Sequence, residues 1–298
     1  MVVKLYKKLV PSAVRKKIYK LFLGHIVFFL KHIKIYLRGY YVFCFQSLLP
    51  KTELNKVYAF VGRHGLSTVP YPCRLKYKKM NIEAQYDAEK QLPYVRHGDK
   101  RLYFPRYFDL KLAADCYKAL SIEQELESPH RYVDSYDELK GMTLLEIGAA
   151  EGMFSLNTIE YVKHSYLFEC EEPWIDALHA TFEPWKEKIT IERKYVGNKT
   201  EPGYMTIDHF LKDKQPIDNI FIKMDIEGAE LEALSSAEET IGSVDNISFA
   251  VCTYHKKEDP KEIGNYFARH GIDYRFTSGY LLFGRELRKA LIRAKKTR

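Results

Sequence analysis

Residues 143–154 read Thr-Leu-Leu-Glu-Ile-Gly-Ala-Ala-Glu-Gly-Met-Phe, an apolar run that leads into a glycine-containing turn. The run up to Ile147 predicts a buried strand, and the spacing of apolar residues from Met153 onward predicts a helix. Gly148 permits a sharp turn and a close approach of the backbone to a ligand, and Gly152 begins the helix. The segment therefore predicts a strand, turn and helix that bind a nucleotide-like ligand at the turn.

The residues around this turn indicate which ligand it binds. The turn lacks the Gly-x-Gly-x-x-Gly spacing of dinucleotide sites, because positions 150 and 153 are Ala and Met, so a diphosphate has a poorer cradle. Glu169 ends the next predicted strand, 21 residues after Gly148, where an acid accepts both hydroxyls of a ribose. Glu146 adds a carboxylate that suits a cationic ligand, and the combination points to S-adenosylmethionine. The predicted cofactor-binding residues are Glu146, Gly148, Ala149, Gly152, Phe154, Glu169 and Asp225.

The rest of the second half alternates short apolar runs with amphipathic stretches. Predicted strands occupy residues 142–147, 165–169, 189–195, 219–225 and 247–253, and predicted helices occupy 153–162, 173–182, 229–240 and 261–270. Residues 274–276 and 280–283 flank a Ser-Gly turn and predict a terminal antiparallel hairpin. The pattern predicts an α/β, Rossmann-like fold, in which a mostly parallel sheet has helices on both faces.

Ionisable side chains follow the ends of two of these strands. Asp225 and Glu227 follow one strand, and His255 follows another. Because the carboxyl ends of parallel strands form the ligand-binding edge of such a sheet, we predict these three residues as the catalytic group. Lys223 lies inside a predicted buried strand, where its charge requires a carboxylate partner. Two adjacent acids without a third ligand do not establish a metal site, and we predict none.

The charge is distributed unevenly along the chain. The 298 residues include 47 Lys and Arg against 39 Asp and Glu, a formal net charge of +8. Residues 1–52 hold 11 basic residues and no acid, and residues 284–298 hold seven basic residues and one acid, which leaves −9 between them. A nucleic-acid-binding protein more often spreads basic residues over its binding domain, so we predict no nucleic acid partner. The 46% hydrophobic content excludes disordered chains, and five scattered cysteines favour a reducing cytosol.

Residues 1–52 predict a basic, amphipathic helical extension. Drawn as a helix, one stripe contains Lys17, Lys20, Lys31, Lys34 and Arg38, and the other side contains Leu23, Ile26, Phe29, Leu30, Ile33 and Leu37. The longest uncharged runs, residues 21–30 and 39–50, are shorter than the roughly 18–20 residues of a membrane span. Two interpretations stay open. The helix lies in the headgroup plane of an anionic membrane, at the inner face, or it packs on the catalytic body with its basic stripe in solvent.

Residues 53–140 predict a small α+β cap that contributes to the substrate site. Within it, residues 93–104 predict two short strands around a His-Gly-Asp turn, and residues 110–124 predict a helix. The polar segment that follows contains His130 and Arg131, which either reach a substrate or cofactor or belong to an ordinary Ser-Pro helix start, the simpler interpretation. The predicted boundaries are 1–52 for the extension, 53–140 for the cap, 141–284 for the cofactor-binding domain and 285–298 for a basic tail.

Five motifs resemble the FkbM-type methyltransferase family. They are Glu-Ile-Gly-Ala-Ala-Glu-Gly-Met-Phe-Ser-Leu (146–156), Leu-Phe-Glu (167–169), Thr-Ile-Asp (206–208), Ile-Lys-Met-Asp-Ile-Glu-Gly-Ala-Glu (222–230) and Thr-Tyr-His (253–255). The resemblance covers roughly residues 140–283, and the segment before it looks like family members associated with bacterial surface polysaccharides. It implies the class I S-adenosylmethionine-dependent fold and methylation of hydroxyl oxygens on sugars or polyketides. The family turn usually reads Asp-x-Gly-Ala-Asn, so Glu146 and Ala150 depart from it, and the missing amide implies weaker cofactor binding.

The implied reaction assigns roles to the catalytic group. Methyl transfer to a glycan or small-molecule hydroxyl requires the acceptor oxygen in line behind the methyl and a base for its proton. We predict His255 as the base, Asp225 as the residue that orients the acceptor or the base, and Glu227 as an assisting acid. Two alternatives stay open: a non-catalytic membrane-surface scaffold that binds the nucleoside, for which Ala150 is a hint, and an NAD-dependent enzyme that modifies nucleotide sugars.

Overall fold

The structure is a computed structural model that describes residues 24–212, 214 and 217–297. Its first part contains four helices and a three-stranded antiparallel sheet. The helices are α1 (Gly24–Cys44), α2 (Glu53–His64), α3 (Cys73–Lys79) and α4 (Leu110–Glu123), and the strands are β1 (Ala84–Asp87), β2 (Leu92–His97) and β3 (Lys100–Tyr103). The sheet has the order β1-β2-β3, with His97 opposite Lys100. The predicted strands around the His-Gly-Asp turn and the predicted helix at 110–124 are therefore confirmed.

The second part alternates strands and helices, as the sequence predicts. Its elements are β4 (Thr143–Ile147), α5 (Met153–Thr158), β5 (His164–Phe168), α6 (Glu172–Phe182), β6 (Ile189–Glu192), β7 (Tyr195–Val196), β8 (Tyr204–Met205), α7 (Ile207–Lys212), β9 (Asn219–Met224), α8 (Glu230–Leu234), α9 (Glu238–Ser243), β10 (Asn246–Cys252), α10 (Asp259–Arg269), β11 (Asp273–Phe276), β12 (Leu281–Phe283), β13 (Glu286–Arg288) and β14 (Leu291–Thr297). Short 3₁₀ turns occur at Tyr136–Leu139 and Glu183–Trp185.

Seven of these strands form the central sheet, in the order β11-β14-β10-β9-β4-β5-β6. The five strands from β10 to β6 are parallel, and β14 runs antiparallel to both of its neighbours. Every residue of β4 is buried, because helices cover both faces and the strand is apolar throughout except for Thr143 and Glu146. From β4 the chain moves outward first to β5 and β6 and later to β9 and β10. The strand order therefore reverses between β4 and β9, where α/β sheets bind their ligands.

The C-terminal edge of the sheet differs from the prediction. The hairpin predicted between residues 274–276 and 280–283 is wrong, because β11 pairs with β14 and β12 pairs with β13. The predicted basic tail at 285–298 is wrong for the same reason, since β14 lies inside the sheet between β10 and β11. Its residues Leu291 and Ile292 are fully buried, but the basic residues interleaved after them hide the apolar pattern in the sequence.

Two further elements are shorter than predicted. The helix predicted at 229–240 is two helices, α8 and α9, and the Ser236 hydroxyl between them donates to the Ala233 carbonyl and accepts from the Ile207 amide. A side chain that bonds to the backbone in this way competes with continuation of the helix. The strand predicted at 189–195 ends at Glu192, and the two residues of β7 pair instead with β8.

Helix α1 packs along α2, and no helix in the described part of the chain is long and apolar enough to cross a membrane. The two helices approach closely where both have glycine, since a Cβ added to Gly62 would lie 2.2 Å from the Gly39 carbonyl oxygen. The Nε2 atom of His32 lies 2.8 Å from the Gly284 carbonyl oxygen and connects α1 to the β12–β13 turn. Of the faces predicted for this extension, Lys17, Lys20 and Leu23 lie outside the described residues.

Candidate active site

The backbone of the turn after β4 lies against the end of β9. Gly148, Ala150 and Gly152 have positive φ angles of 77°, 45° and 77°. A Cβ added to Gly148 would lie 2.0 Å from the Asp225 carbonyl oxygen, and one added to Gly152 would lie 2.7 Å from the Phe182 ring. Glycine is therefore required at both positions for space as well as for φ. Ala150 has the same left-handed conformation without glycine's freedom, which costs roughly 1 kcal/mol.

A buried ion pair lies directly behind this turn. The Glu146 carboxylate accepts hydrogen bonds from the Ser155 amide, at 3.1 Å, and from the Ser155 hydroxyl, and its other oxygen lies 3.5 Å from the Lys223 ammonium nitrogen. Lys223 also donates to the Gly148 carbonyl oxygen at 2.5 Å. Burial alone would lower the pKa of Lys223, but the charges of Glu146 and Asp225 outweigh it and raise that pKa. The carboxylate partner predicted for Lys223 is confirmed as Glu146.

Glu169 follows β5 and lies against the same turn. One of its carboxylate oxygens accepts from the Ala150 amide at 2.8 Å, and the other accepts from the Glu171 amide at 2.7 Å. These two bonds fix the orientation of the carboxylate. Each oxygen keeps a second lone pair that can accept a hydroxyl, which is the capacity that a ribose site requires.

A cavity of about 200 Å³ lies at the carboxyl ends of β4 and β9. Of the predicted cofactor-binding residues, those on its wall are Glu146, Gly148, Ala149, Phe154 and Asp225. Five acidic side chains line the cavity, together with one lysine: Glu123, Glu146, Glu151, Asp225, Glu227 and Lys223. Burial raises the pKa of Glu151 to about 8, so that residue is largely protonated at neutral pH. Burial also raises the pKa of Glu123 and of Glu146, which pairs with Lys223, so the ionised carboxylate of Asp225 is the group that suits a cationic ligand better than a diphosphate.

Four polar side chains surround the Asp225 carboxylate at the cavity wall. Its carboxylate accepts from the hydroxyls of Tyr132, at 2.9 Å, and Tyr254, at 3.1 Å. The Nε2 atoms of His130 and His255 each lie 3.5 Å from one of its two oxygens. Burial favours the protonated acid, but the bond with His130 and the positive charges around it outweigh burial and hold the pKa of Asp225 well below its usual range. Asp225 is therefore ionised at neutral pH.

His255 lies between two sets of carboxylates. Its Nδ1 atom is 2.7 Å from an oxygen of Glu230, which is fully buried, and its Nε2 atom is 3.5 Å from Asp225 and 3.6 Å from Glu227. Burial would lower the pKa of His255, but the hydrogen bond and charge of Glu230, with the charges of Asp225 and Glu227, raise it. A carboxylate at Nδ1 with Nε2 left for the substrate is the arrangement that activates a histidine as a base. Here Nε2 lies beside Asp225 and Glu227, which line the cavity, whereas His255 itself does not. The structure thus brings the three predicted catalytic residues together.

Three residues of this group were not predicted, Glu230, Tyr254 and Tyr132, and His130 was predicted only as one of two alternatives. Glu230 and Tyr254 lie within the motifs at 222–230 and 253–255. Nothing in the sequence indicates that Glu230 is buried beneath His255. For the segment at 127–132, the simpler interpretation of a Ser-Pro helix start is wrong, because His130 is buried beside Asp225. Arg131 points elsewhere, since its guanidinium donates to the backbone carbonyls of Gln124 and Asp134.

Some of these side chains have the donor types of a metal site. The donor atoms of Asp225, Glu230 and His255 lie within 4.8 Å of one another. However, the Glu230 oxygen that faces the group already accepts from the Ile226 amide at 3.0 Å and contacts His255 at 2.7 Å. The group is thus held together by its own hydrogen bonds, and the expectation that no metal is used stays a prediction.

Comparisons with known proteins find one matching family and several similar solved structures. A family model described as the methyltransferase FkbM domain matches residues 101–275. The crystal structure of methyltransferase FkbM from Methylobacillus flagellatus KT is similar at 21% identity and a TM-score of 0.42, over 59% of this chain and 52%, about half, of that one. M. capricolum TrmK in complex with S-adenosyl-homocysteine is similar at 14% identity and a TM-score of 0.38, over 54% and 66%. A putative RNA methyltransferase from Pyrococcus horikoshii gives 14% and 0.36, over 54% and 78%. The curated proteins contain no match.

Proposed function

The chain belongs to the FkbM methyltransferase family and has the class I methyltransferase fold, and we propose that it is an S-adenosylmethionine-dependent O-methyltransferase. The proposed acceptor is a hydroxyl of a sugar, a polysaccharide or a related glycan or secondary metabolite. The observation that carries the proposal is His255, whose Nδ1 atom is held by buried Glu230 while its Nε2 atom faces the cavity acids.

The residues around the β4 turn fit the proposed cofactor. Gly148 permits the positive φ of the turn and lies on the cavity wall, Glu169 has lone pairs for the ribose hydroxyls, and the cavity acids suit a positively charged donor. When bound, S-adenosylmethionine supplies an electrophilic methyl group on a sulfonium. The chain's own contribution is to hold that group and to exclude competing nucleophiles from the cavity.

The acceptor side supplies the proton chemistry. A sugar hydroxyl is a poor nucleophile, so its proton must leave as the new carbon–oxygen bond forms. The Nε2 atom of His255 is the proposed acceptor of that proton, and the Glu230 carboxylate stabilises the imidazolium that results. Asp225 and Glu227 flank the same nitrogen and orient the hydroxyl toward it.

The role of His255 as a base predicts the direction in which turnover changes with pH. His255 works as a base only when Nε2 is unprotonated, and the surrounding carboxylates raise its pKa above the ordinary value. Turnover is therefore expected to be low in acid and to rise as the pH passes upward through this raised pKa.

Incubation of the chain with methyl-labelled S-adenosylmethionine and a panel of oligosaccharides tests the proposal. We expect label in the glycan fraction as a base-stable methyl ether, and none in a permethylated panel that offers no free hydroxyl. Label confined to protein or RNA would refute the proposed acceptor. Binding of S-adenosylhomocysteine without transfer to any panel member would favour the non-catalytic scaffold, and binding of NAD in its place would favour a nucleotide-sugar enzyme.

A further inference from the structure

Helix α1 is fixed to the body of the protein by one face only. His32, Ile35, Gly39 and Val42 recur at helical spacing and are all buried. Gly39 gives close contact with α2, and His32 contacts the Gly284 carbonyl oxygen. The helix is therefore docked on the catalytic body, as one of the two sequence interpretations expects, but not through the apolar side that the sequence indicates.

The opposite face of α1 is apolar and exposed. The large side chains on it are between 45% and 64% exposed: Phe29, Leu30, Leu37, Tyr40 and Tyr41. At 100° per residue these positions lie roughly opposite the buried face. Phe45 and Leu48, 47% and 80% exposed, follow the end of the helix, and the Phe45 ring lies 5.1 Å from the ring of Tyr41. Contiguous apolar patches of this kind mark interaction sites rather than ordinary protein surface.

A basic stripe borders this apolar face. Lys31, Lys34 and Arg38 lie on one flank, between the exposed and the buried faces, and all three are exposed. The 21 residues of α1 include no acid. Exposed tyrosines stand beside the apolar residues, where an amphipathic ring meets both hydrocarbon and water. The surface therefore combines apolar, aromatic and positively charged groups on one docked helix.

We infer that this surface, which comprises Phe29, Leu30, Leu37, Tyr40 and Tyr41 with the flanking Lys31, Lys34 and Arg38, binds an anionic membrane. Lysine and arginine beside an exposed apolar helix face are the pattern that anionic headgroups over acyl chains attract. Pairing with a second copy is disfavoured by charge, because a two-fold contact through this face sets two basic stripes together without a single acid of α1 to oppose them.

The same helix is connected to the active site through the β12–β13 turn. Its His32 contacts the carbonyl of Gly284, and the preceding residue, Phe283, packs against the rings of Tyr254 and His255 with centroid distances of 5.1 and 5.6 Å. Membrane attachment through α1 thus sets the orientation of the catalytic group relative to the bilayer. The inference does not depend on the proposed chemistry, because attachment is measured without a reaction.

Flotation of the full chain with lipid vesicles tests the inference. We expect binding to vesicles of phosphatidylcholine with 30% phosphatidylglycerol, and a reduction of at least about tenfold in the L30S/L37S/Y40S variant. The matched control is Y107S/L112S/L126S, which removes one tyrosine and two leucines that are also exposed, at 67%, 44% and 75%, and is expected to bind like the unmodified chain. Circular dichroism of both triple variants checks that each is folded.

A second variant separates the electrostatic part. K31Q/K34Q/R38Q is expected to lose about tenfold or more of its affinity for anionic vesicles at low salt, and to bind less salt-dependently. Equal binding of the L30S/L37S/Y40S variant and its control would overturn the inference and assign any attachment to other residues. So would absence of vesicle binding by the unmodified chain, or a dimer in light scattering that L30S/L37S/Y40S abolishes.

Discussion

The cofactor side and the acceptor side of the candidate site are built differently. On the cofactor side, the Glu146 and Glu169 carboxylates already accept hydrogen bonds from protein N–H groups at 2.7–3.1 Å. On the acceptor side, the Nε2 atom of His255 lies 3.5 and 3.6 Å from its nearest carboxylate oxygens, beyond good hydrogen-bond distance. The first side is a preformed backbone cradle. The second side leaves the His255 nitrogen and the exposed Glu227 carboxylate for an incoming hydroxyl, whereas Asp225 already accepts from the hydroxyls of Tyr132 and Tyr254.

The largest expected effect is on the acceptor side. Replacing His255 by alanine removes the proposed base, so turnover is expected to fall by about 10²–10⁴-fold. The affinity for S-adenosylhomocysteine, measured by calorimetry, is expected to stay the same because the β4 turn is untouched. Unchanged turnover would contradict the assignment of the base, and loss of cofactor binding would show that the two sides are not separable.

On the cofactor side, the expected effect is a loss of stability, because the turn is closely packed. Gly148→Ala places a Cβ 2.0 Å from the Asp225 carbonyl oxygen in a left-handed conformation, and we expect a loss of about 3 kcal/mol in the free energy of unfolding. Gly141→Ala is the matched control, since Gly141 has a similar φ of 75° but no atom within 4 Å of the added Cβ. It is expected to cost about 1 kcal/mol. Urea unfolding measures both, and equal losses would contradict the close-packing argument.

A smaller effect is expected at Glu230, the carboxylate that contacts His255. Glu230→Gln keeps the shape but removes the charge that raises the pKa of His255, so the acid limb of the kcat/KM profile is expected to move to lower pH. Turnover at the plateau is expected to fall about tenfold, because the imidazolium loses its partner. Glu232→Gln, an exposed acid of the same helix, is the control. If the two variants gave superimposable pH profiles, Glu230 would have no role in positioning or charging His255.

The smallest effect is expected at the strained turn. Ala150 has a φ of 45°, a conformation that asparagine tolerates better than alanine. Ala150→Asn is therefore expected to raise the free energy of unfolding by about 0.5 kcal/mol and to bind S-adenosylhomocysteine at least as tightly. Thermal unfolding and calorimetry measure the two quantities. A destabilised variant would contradict the view that position 150 is strained by its residue type.

The central fold could be predicted because its signals are local. The apolar run of β4, its glycine turn and the later strands depend on residues close in sequence, and the same segments gave Asp225 and His255 as neighbours. Strand β14, which lies between β10 and β11, could not be predicted, because its basic residues make contacts distant in sequence. Arg293, for example, pairs with Asp134 and reaches the carbonyl of Arg131, both far upstream.

The candidate site was predictable only in part for a related reason. Glu230 is buried beneath His255, and His130 is buried beside Asp225. The burial of such a residue cannot be predicted from its own segment of sequence. The sequence pattern of α1 was also ambiguous, since its apolar side chains exceed what one face can bury. The packing of Gly39 against Gly62 and the contact of His32 with Gly284 identify which face contacts the body and which is left exposed.

Calorimetric titration of the full chain with S-adenosylhomocysteine and, separately, with NAD tests the central claim most directly. We expect saturable one-site binding of S-adenosylhomocysteine, weakened in Glu169→Gln because a ribose acceptor is lost, and no measurable binding of NAD. Binding of NAD, or of neither compound, would contradict the account of the β4 turn as a cradle for S-adenosylmethionine.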